Sequence, residues 1–337
     1  MPERFVLATF NLENLDDRPA PEASLESRVA ALRPQVERLD ADVLCLQEVN
    51  GQPRGGPAPR RFAALDVLLE GTPLAGFHRA VTESPSGGAM DKHNLVVLSR
   101  WPIVEQRQVW HELVPAPHAA MTTAAPPEEA LQPVTWDRPL LAVTVELPGG
   151  RLLHVLNLHL RAPLAAFVPG QKTGQFAWAS VAGWAEGFAL AAMKRNGQAL
   201  EARLWVEKLF DAEGDVDGPL VAVCGDFNAE ATEVPTRILR GDVEDTGSGA
   251  LAARALVPVD MTVPPDRRYT VIHAGRRNLL DHLLVSRPLL RWFRGAEIHN
   301  EGLGDELVAY ATVDRSPESY HAPVVARFEL PGGQSNA

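Results

Sequence analysis

The chain has 337 residues, is 45% hydrophobic and carries a formal net charge of −11. Its length and apolar content suit one large domain or two small ones. The acidic balance argues against tight nonspecific nucleic-acid binding through a basic face, although an acidic metal site in a nuclease would itself contribute negative charge. Twenty-eight prolines and 26 glycines indicate many loops. Cys45 and Cys224, the two cysteines, each sit inside an apolar run and read as buried free thiols. The opening Met-Pro-Glu-Arg-Phe lacks the basic and apolar regions of a signal peptide, and no segment is apolar enough to span a membrane. The expectation is a soluble cytoplasmic protein.

Residues 5–11 predict a first strand that runs into Asn11-Leu12-Glu13, with Asn11 and Glu13 on one side if the strand continues. Leu25, Val29, Leu32, Val36 and Leu39 step by four, three, four and three, one face of a helix starting near Ser24. Pro34 inside it predicts a kink or a late start. Residues 42–48 form a second strand with Glu48 at its end. A second helix fits 60–70, and another strand fits 93–100, stopped by Trp101-Pro102. Residues 110–139 are rich in Ala and Pro and read as a long excursion. Strands at 140–147 and 151–160 flank Pro148-Gly149-Gly150, a hairpin signal. In the second of them Val155, Asn157 and His159 share a face.

A loop at 161–175 precedes helical patterning over 177–210, with an expected break near Asn196-Gly197 and a later apolar face of Leu200, Leu204, Val206 and Leu209. Residues 221–228 read as a buried strand ending in Gly225-Asp226-Phe227-Asn228. Asp226 and Asn228 lie two apart, so continued extension puts them side by side. Strands at 279–286 and 322–330 follow, then a tail expected to fray. Strands outnumber helices and include an antiparallel hairpin, so an α/β or α+β layered domain is expected.

Polar residues gather at strand ends: Asn11, Glu13, Glu48, Asn157, His159, Asp226, Asn228, Asp281 and His321. Mg²⁺ prefers hard oxygen ligands, one or two carboxylates with substrate phosphate oxygens and water, and Glu48 is the best single candidate. Zinc fits less well, since neither Cys-x-x-Cys nor His-Glu-x-x-His occurs. A divalent ion and histidine donors would offset the negative charge of a phosphoester, and a carboxylate would supply a base.

Six motifs carry a resemblance: Thr9-Phe10-Asn11, Leu46-Gln47-Glu48, Asn157-Leu158-His159-Leu160, Gly225-Asp226-Phe227-Asn228, Leu280-Asp281-His282-Leu283 and Ser319-Tyr320-His321-Ala322-Pro323-Val324. Together, in this order, they closely resemble the endonuclease/exonuclease/phosphatase superfamily, which includes DNases, abasic-site endonucleases, inositol-polyphosphate phosphatases and neutral sphingomyelinases. The resemblance implies a four-layered α/β/β/α sandwich of two mixed sheets flanked by helices. It spans one domain over 1–330, with loop insertions near 110–139 and 161–196 and a flexible tail at 331–337. It also implies phosphoester hydrolysis dependent on Mg²⁺ or Mn²⁺.

On that resemblance Glu48 is the principal metal ligand, with Asn11 and Glu13 beside it. His321 forms a pair with Asp281, Asp226 activates water, Asn228 binds phosphate, and His159 contacts the scissile group. Asn11, Asn157 and Arg161 are the substrate-binding candidates. Tyr320 departs from the family's pattern, which usually has Asp there, and puts a second metal position in question; Asp314, close in sequence, is a candidate to compensate, though nothing in the sequence shows that it does. Lys172 reads as solvated charge, and His282 as a strand residue. Trp178 and Trp184 are candidates for stacking on a base or a lipid, though helix packing is the commoner use. The substrate is a small phosphoester or a nucleic acid, and no protein partner is inferable. The alternatives are a DNA endonuclease or exonuclease of the same family, and a catalytically impaired scaffold or binding protein that keeps the fold, favoured by Tyr320 alone.

Overall fold

The computed structural model describes residues 3–17, 23–53, 55, 58–128, 130–174, 176–212, 218–242, 247, 249–307 and 316–330. Asp314 and the expected tail at 331–337 lie outside the described residues. In chain order the elements are β1 (Glu3–Leu15), α1 (Leu25–Arg38), β2 (Val43–Val49), α2 (Ala63–Leu69), β3 (His78–Val81), β4 (Asn94–Ser99) and β5 (Ile103–Val109). There follow β6 (His118–Ala119), β7 (Gln132–Pro133), β8 (Leu140–Leu147), β9 (Arg151–His159), α3 (Val181–Ala212), β10 (Leu220–Asp226) and α4 (Val234–Arg240). The chain continues through β11 (Val257–Pro258), β12 (Val271–His273), β13 (Arg276–Asn278), β14 (Asp281–Val285), α5 (Arg287–Leu290), β15 (Phe293–Ile298) and β16 (Val324–Leu330).

Two six-stranded sheets dominate, in the orders β15-β16-β1-β2-β4-β3 and β11-β14-β10-β9-β8-β5. Each is mixed. The β1–β2 and β9–β10 pairs are parallel, and the neighbouring ladders are antiparallel. Alternation along the strands builds the layers. Phe5, Leu7, Val43 and Cys45 from the first sheet meet Val143, Val155, Cys224 and Leu283 from the second in a buried inter-sheet core. The opposite face of the first sheet buries Leu44, Leu46 and Val96 under Leu32 and Val36 of α1 and Leu65 of α2. The opposite face of the second buries Leu156, Leu158 and Val223 under Ala199, Ala202 and Val206 of α3. This is the expected α/β/β/α sandwich. Both cysteines are buried and free, as expected.

The helix expected from Ser24 is α1: the Ser24 hydroxyl accepts from the Ser27 backbone N–H at 3.1 Å, and Pro34 lies inside without ending it. The predicted break at Asn196-Gly197 does not occur, since α3 runs through it. Gly197 lies against the indole of Trp136, where an added Cβ would come within 2.6 Å of the ring. The glycine serves close packing. The predicted late face is also rotated: Leu200 and Leu204 are exposed, and the smaller Ala199 and Ala202 do the packing with Val206.

The two predicted excursions pack on each other. Ala124 and Val134 from the first join Ala166, Val168, Leu190 and Ala191 from the second in a small core of their own. Glu201 of α3 anchors the first excursion: its buried carboxylate accepts from the backbone N–H groups of His111, Glu112 and Leu113 and from the Trp136 indole.

Candidate active site

The motif-bearing strand ends converge on a cleft of about 660 Å³, and the backbone there is unusual. Eight described residues other than glycine have left-handed φ, and five of them, Glu13, Asn14, Glu48, His93 and Asn228, line this cleft. Such conformations cost free energy and collect where a fold must aim particular side chains. In β1 and β2 the ladder slips between Asn11 and Leu15 and between Leu46 and Val49, so the strands bulge as they reach the cleft. Arg28 of α1 donates to the Leu12 and Glu13 carbonyls and braces the first bulge. In β10, Gly225 adopts φ +136°, and an added Cβ would stand 1.9 Å from the Leu158 carbonyl oxygen of β9. Only glycine fits there.

Two carboxylates face each other across the sheets. The Asn11 amide donates to Glu48 Oε1 at 3.2 Å and to Asp226 Oδ2 at 3.0 Å, bridging them. Glu48 Oε2 accepts the Asn14 backbone N–H at 3.1 Å. Asp226 Oδ1 accepts the Asn228 N–H at 2.8 Å, and the Asn228 side chain donates to Asp226 Oδ2 and to the Leu160 carbonyl. Two histidines approach the same carboxylate oxygen: Asp226 Oδ2 is 3.3 Å from His159 Nε2 and 4.0 Å from His321 Nε2. His159 Nε2 also lies 3.7 Å from Glu48 Oε1.

The far sides of the two rings have opposite partners. His321 Nδ1 donates to Asp281 Oδ2 at 2.8 Å, and the Thr270 hydroxyl accepts the Leu280 and Asp281 N–H groups to fix that aspartate's backbone. His159 Nδ1 faces the Arg138 guanidinium. A guanidinium only donates, so Nδ1 accepts and the ring's proton sits on Nε2, toward the carboxylates. Burial and then the Arg138 charge hold His159 well below the ordinary imidazole range. Burial opposes the charge on His321, but the Asp281 and Asp226 carboxylates raise it well above that range. Burial, reinforced by Asp281 and opposed by His321, pushes the Asp226 carboxyl up to about 7.

The donor set fits a hard divalent cation. Ligand atoms of Glu48, His159 and Asp226 lie within 4.8 Å of one another, as do those of Asp226, Asp281 and His321. Asp281 Oδ1 is buried with no hydrogen-bond partner among the described residues. Oxygen donors predominate in these clusters, as Mg²⁺ and Mn²⁺ require.

The Endonuclease/Exonuclease/phosphatase family matches residues 8–305. The chain belongs to this family. Its members hydrolyse phosphoester bonds, and the protein is an enzyme of that class. No curated protein matches in sequence. Solved structures do match in fold. The 3′ phosphatase NExo from Neisseria, bound to product DNA hairpin, is 17% identical with a TM-score of 0.52, over 96% of this chain and 99% of that one. A family protein from Bacteroides thetaiotaomicron is 14% identical with a TM-score of 0.57, over 98% and 99%. The human Nocturnin catalytic domain with bound sulfate is 17% identical with a TM-score of 0.53, over 97% and 93%.

Among the residues singled out from the sequence, Glu13, Glu48, His159, Asp226, Asn228 and His321 line this cleft, and Asp281 stands behind His321. Asn228 arrives differently from the expectation. The strand ends at Asp226, and a left-handed turn, not continued extension, brings Asn228 beside it. Asn11 is fully buried. Its side-chain oxygen Oδ1 accepts the Glu13 N–H at 2.8 Å while its side-chain NH₂ donates to two carboxylates, so it organises the site from beneath the cleft surface.

Two candidates stand apart from the cleft. Asn157 is fully buried between the sheets, where its side chain accepts from Gln47 at 2.7 Å and donates to the Leu46 and Val96 carbonyls. Arg161 is paired with Asp137, which Lys194 also holds. His282 is a buried strand residue, as expected, held by Asp260 and the Ala229 carbonyl. Tyr320 is mostly buried, and its backbone N–H donates to Glu13 Oε2 at 2.7 Å. Ser319 ties this segment to β1 by donating to the Asn11 carbonyl.

Sequence reasoning missed several cleft residues, among them Asn14, His93 and Arg138 beside the carboxylate–histidine cluster and Glu230, Glu233, His273 and Glu306 further out. His93 Nε2 lies 3.0 Å from Asn14 Oδ1 and 3.9 Å from Glu48 Oε2. The available signal was a histidine directly before a buried strand and an arginine closing an apolar excursion. Neither has a diagnostic spacing.

Proposed function

We propose that the protein is a divalent-metal-dependent phosphoesterase that hydrolyses a phosphodiester or phosphomonoester by attack of water. The observation that carries this reading is the convergence of two differently partnered histidines on Asp226, which Asn11 bridges to Glu48. Glu48, with Glu13 nearby, would hold Mg²⁺ or Mn²⁺. When bound, such an ion withdraws charge from the phosphoryl oxygens. Asp226 takes the proton of the attacking water, as a base near neutrality is suited to do. The water oxygen forms a bond to phosphorus, the ester O–P bond breaks, and its electron pair leaves with the alcohol oxygen, which takes up a proton from solvent. The charged His321, kept so by Asp281, and the Nε2–H of neutral His159 stabilise the negative charge on the phosphoryl oxygens. Asn228 orients Asp226.

The cleft walls favour a small substrate over a long polyanion. Among the described residues, six carboxylates (Glu13, Glu48, Asp226, Glu230, Glu233 and Glu306) and one guanidinium, Arg138, line it. An extended DNA footprint calls for the opposite balance. DNA nuclease action is the second reading, supported by the DNA-bound 3′ phosphatase that shares the fold. A scaffold that has lost catalysis has little support. The Tyr320 backbone itself holds Glu13, and the rest of the constellation is present. A cytoplasmic location remains part of the proposal; no helix among the described residues is long and apolar enough to cross a membrane. One domain over 1–330, with both excursions as insertions, is likewise the organisation we propose.

The test is turnover of bis-p-nitrophenyl phosphate, p-nitrophenyl phosphate and plasmid DNA with Mg²⁺, Mn²⁺ or EDTA. We expect metal-dependent diester turnover that Glu48→Gln or His321→Ala lowers by roughly 10²- to 10³-fold, the scale for losing a charge-stabilising group. Plasmid nicking lost in the same variants would establish the nuclease reading. Absence of metal-dependent turnover on all three would leave the scaffold.

A further inference from the structure

The second excursion and the start of α3 carry a surface that the catalytic residues do not use. From Thr173 to Met193 the sequence has one charged residue, Glu186. Its carboxylate is bound by the backbone and hydroxyl groups of Thr122 and Thr123. Around it Leu164, Phe167, Phe176, Val181, Trp184 and Phe188 face solvent, with exposures from 39% at Phe188 to 82% at Val181. Val181, Trp184 and Phe188 follow i, i+3, i+7 spacing, one stripe of a helix turned outward, and Trp184 stacks on Phe188 with ring centroids 5.3 Å apart. The loop bearing Leu164 and Phe167 is fixed to that stripe, since the Ala166 N–H donates to the Gly187 carbonyl at 2.8 Å. Large apolar side chains normally reach the surface singly, and a contiguous group marks an interaction face.

Position and charge identify what covers it. The same loop lines the catalytic cleft through Ala162, Pro163 and Leu164, so the face adjoins the mouth. A folded partner seated there would crowd the mouth. A lipid surface carries phosphoesters of its own and would bring them to it. Tryptophan and phenylalanine on an uncharged helical face suit the boundary between head groups and acyl chains. The nearby cations are already engaged: Arg161 and Lys194 pair with Asp137, and Lys172 lies over the Trp178 ring at 5.7 Å. With a net charge of −11 and no unengaged basic rim beside it among the described residues, the face matches zwitterionic lipid, not anionic lipid.

We infer that the apolar face over residues 164–188 docks the protein on a zwitterionic phospholipid bilayer, with the cleft mouth against the head groups. That the docked cleft then acts on head-group phosphoesters rests on the hydrolytic reading above; the docking itself does not.

Sedimentation with phosphatidylcholine vesicles tests it, alongside quenching of tryptophan emission by brominated lipid. A triple variant, Phe167→Ser, Trp184→Ser and Phe188→Ser, changes exposed side chains outside the cleft. Circular dichroism and turnover of soluble bis-p-nitrophenyl phosphate report whether it folds. The expected result is vesicle binding by the wild type, weakened about tenfold or more in a folded variant, as loss of three inserted apolar groups implies. Single Phe167→Ser and Trp184→Ser variants replace the triple one if it misfolds, each with a smaller loss of the same sign. Absence of vesicle binding by the wild type, or equal binding by the folded variants, overturns the inference. So does a concentration-dependent dimer in sedimentation equilibrium that the variant abolishes, which assigns the face to a second copy. Failure of diester turnover with vesicle binding intact would remove the hydrolytic reading and leave the docking in place.

Discussion

Arg138 gives His159 a role that the motif alone does not disclose. A carboxylate stands behind His321 and a guanidinium behind His159, so similar rings present different protonation states to the same aspartate. Arg138→Met should therefore lower kcat for bis-p-nitrophenyl phosphate by about 10- to 100-fold, the usual effect of removing a group that orients a site residue, while KM moves less. Steady-state kinetics on the folded variant would check this; an unchanged kcat would deny Arg138 its positioning role. Gly225 makes a complementary point about backbone. Gly225→Ala sets a methyl group against the Leu158 carbonyl at a φ that alanine rarely adopts. The expected loss is about 3 kcal/mol or more, read as a lower urea midpoint. These residues also show what a sequence can disclose. Gly225, Asp226 and Glu48 stand in motifs that announce them. Arg138 ends a long irregular segment, and only the fold sets it beside a histidine 21 positions away. Asn157 shared its predicted face with His159, but its partners are on the opposite sheet.

At the scale of elements, strand ends were easier to find than their geometry. Short apolar runs located β2 and β10, the Pro-Gly-Gly hairpin signal located β9, and apolar spacing located α1, because each signal is local. The bulges that turn Glu13 and Glu48 into the cleft depend on pairing between strands distant in sequence. Continuity of α3 likewise depends on Trp136, which fills the space that Gly197 leaves. Glu201 is the corresponding feature on the polar side, one carboxylate satisfying three backbone N–H groups and an indole. Glu201→Ala leaves those donors without their acceptor and should cost about 3 kcal/mol. Hydrogen exchange should quicken across 111–136 before it does in β8 or β9; uniform exchange would contradict an anchoring role.

Across the whole molecule, charge and site are linked. The chain gathers carboxylates at one cleft, and a cation held there binds the folded state and not the unfolded chain. Mn²⁺ at about a hundred times its dissociation constant should stabilise the protein by roughly 2.7 kcal/mol, seen as a rise in Tm that Glu48→Gln removes. An unchanged Tm in the wild type would speak against ion binding at Glu48. The sandwich itself was legible because six motifs occur in one order along the chain. The accessory core shared by the two excursions was not, since Ala124 and Val134 meet Val168 and Leu190 only after both have folded back.

The left-handed residues at the cleft bear on how the protein can change. Glu13, Asn14, Glu48, His93 and Asn228 each hold a conformation that glycine adopts more easily, at a cost of roughly 1 kcal/mol or more apiece. Glycine at any of them would relieve the backbone and remove a polar group from the cleft. Selection for thermostability alone would therefore draw its gains from the catalytic machinery, and heat resistance and turnover would compete for the same five positions.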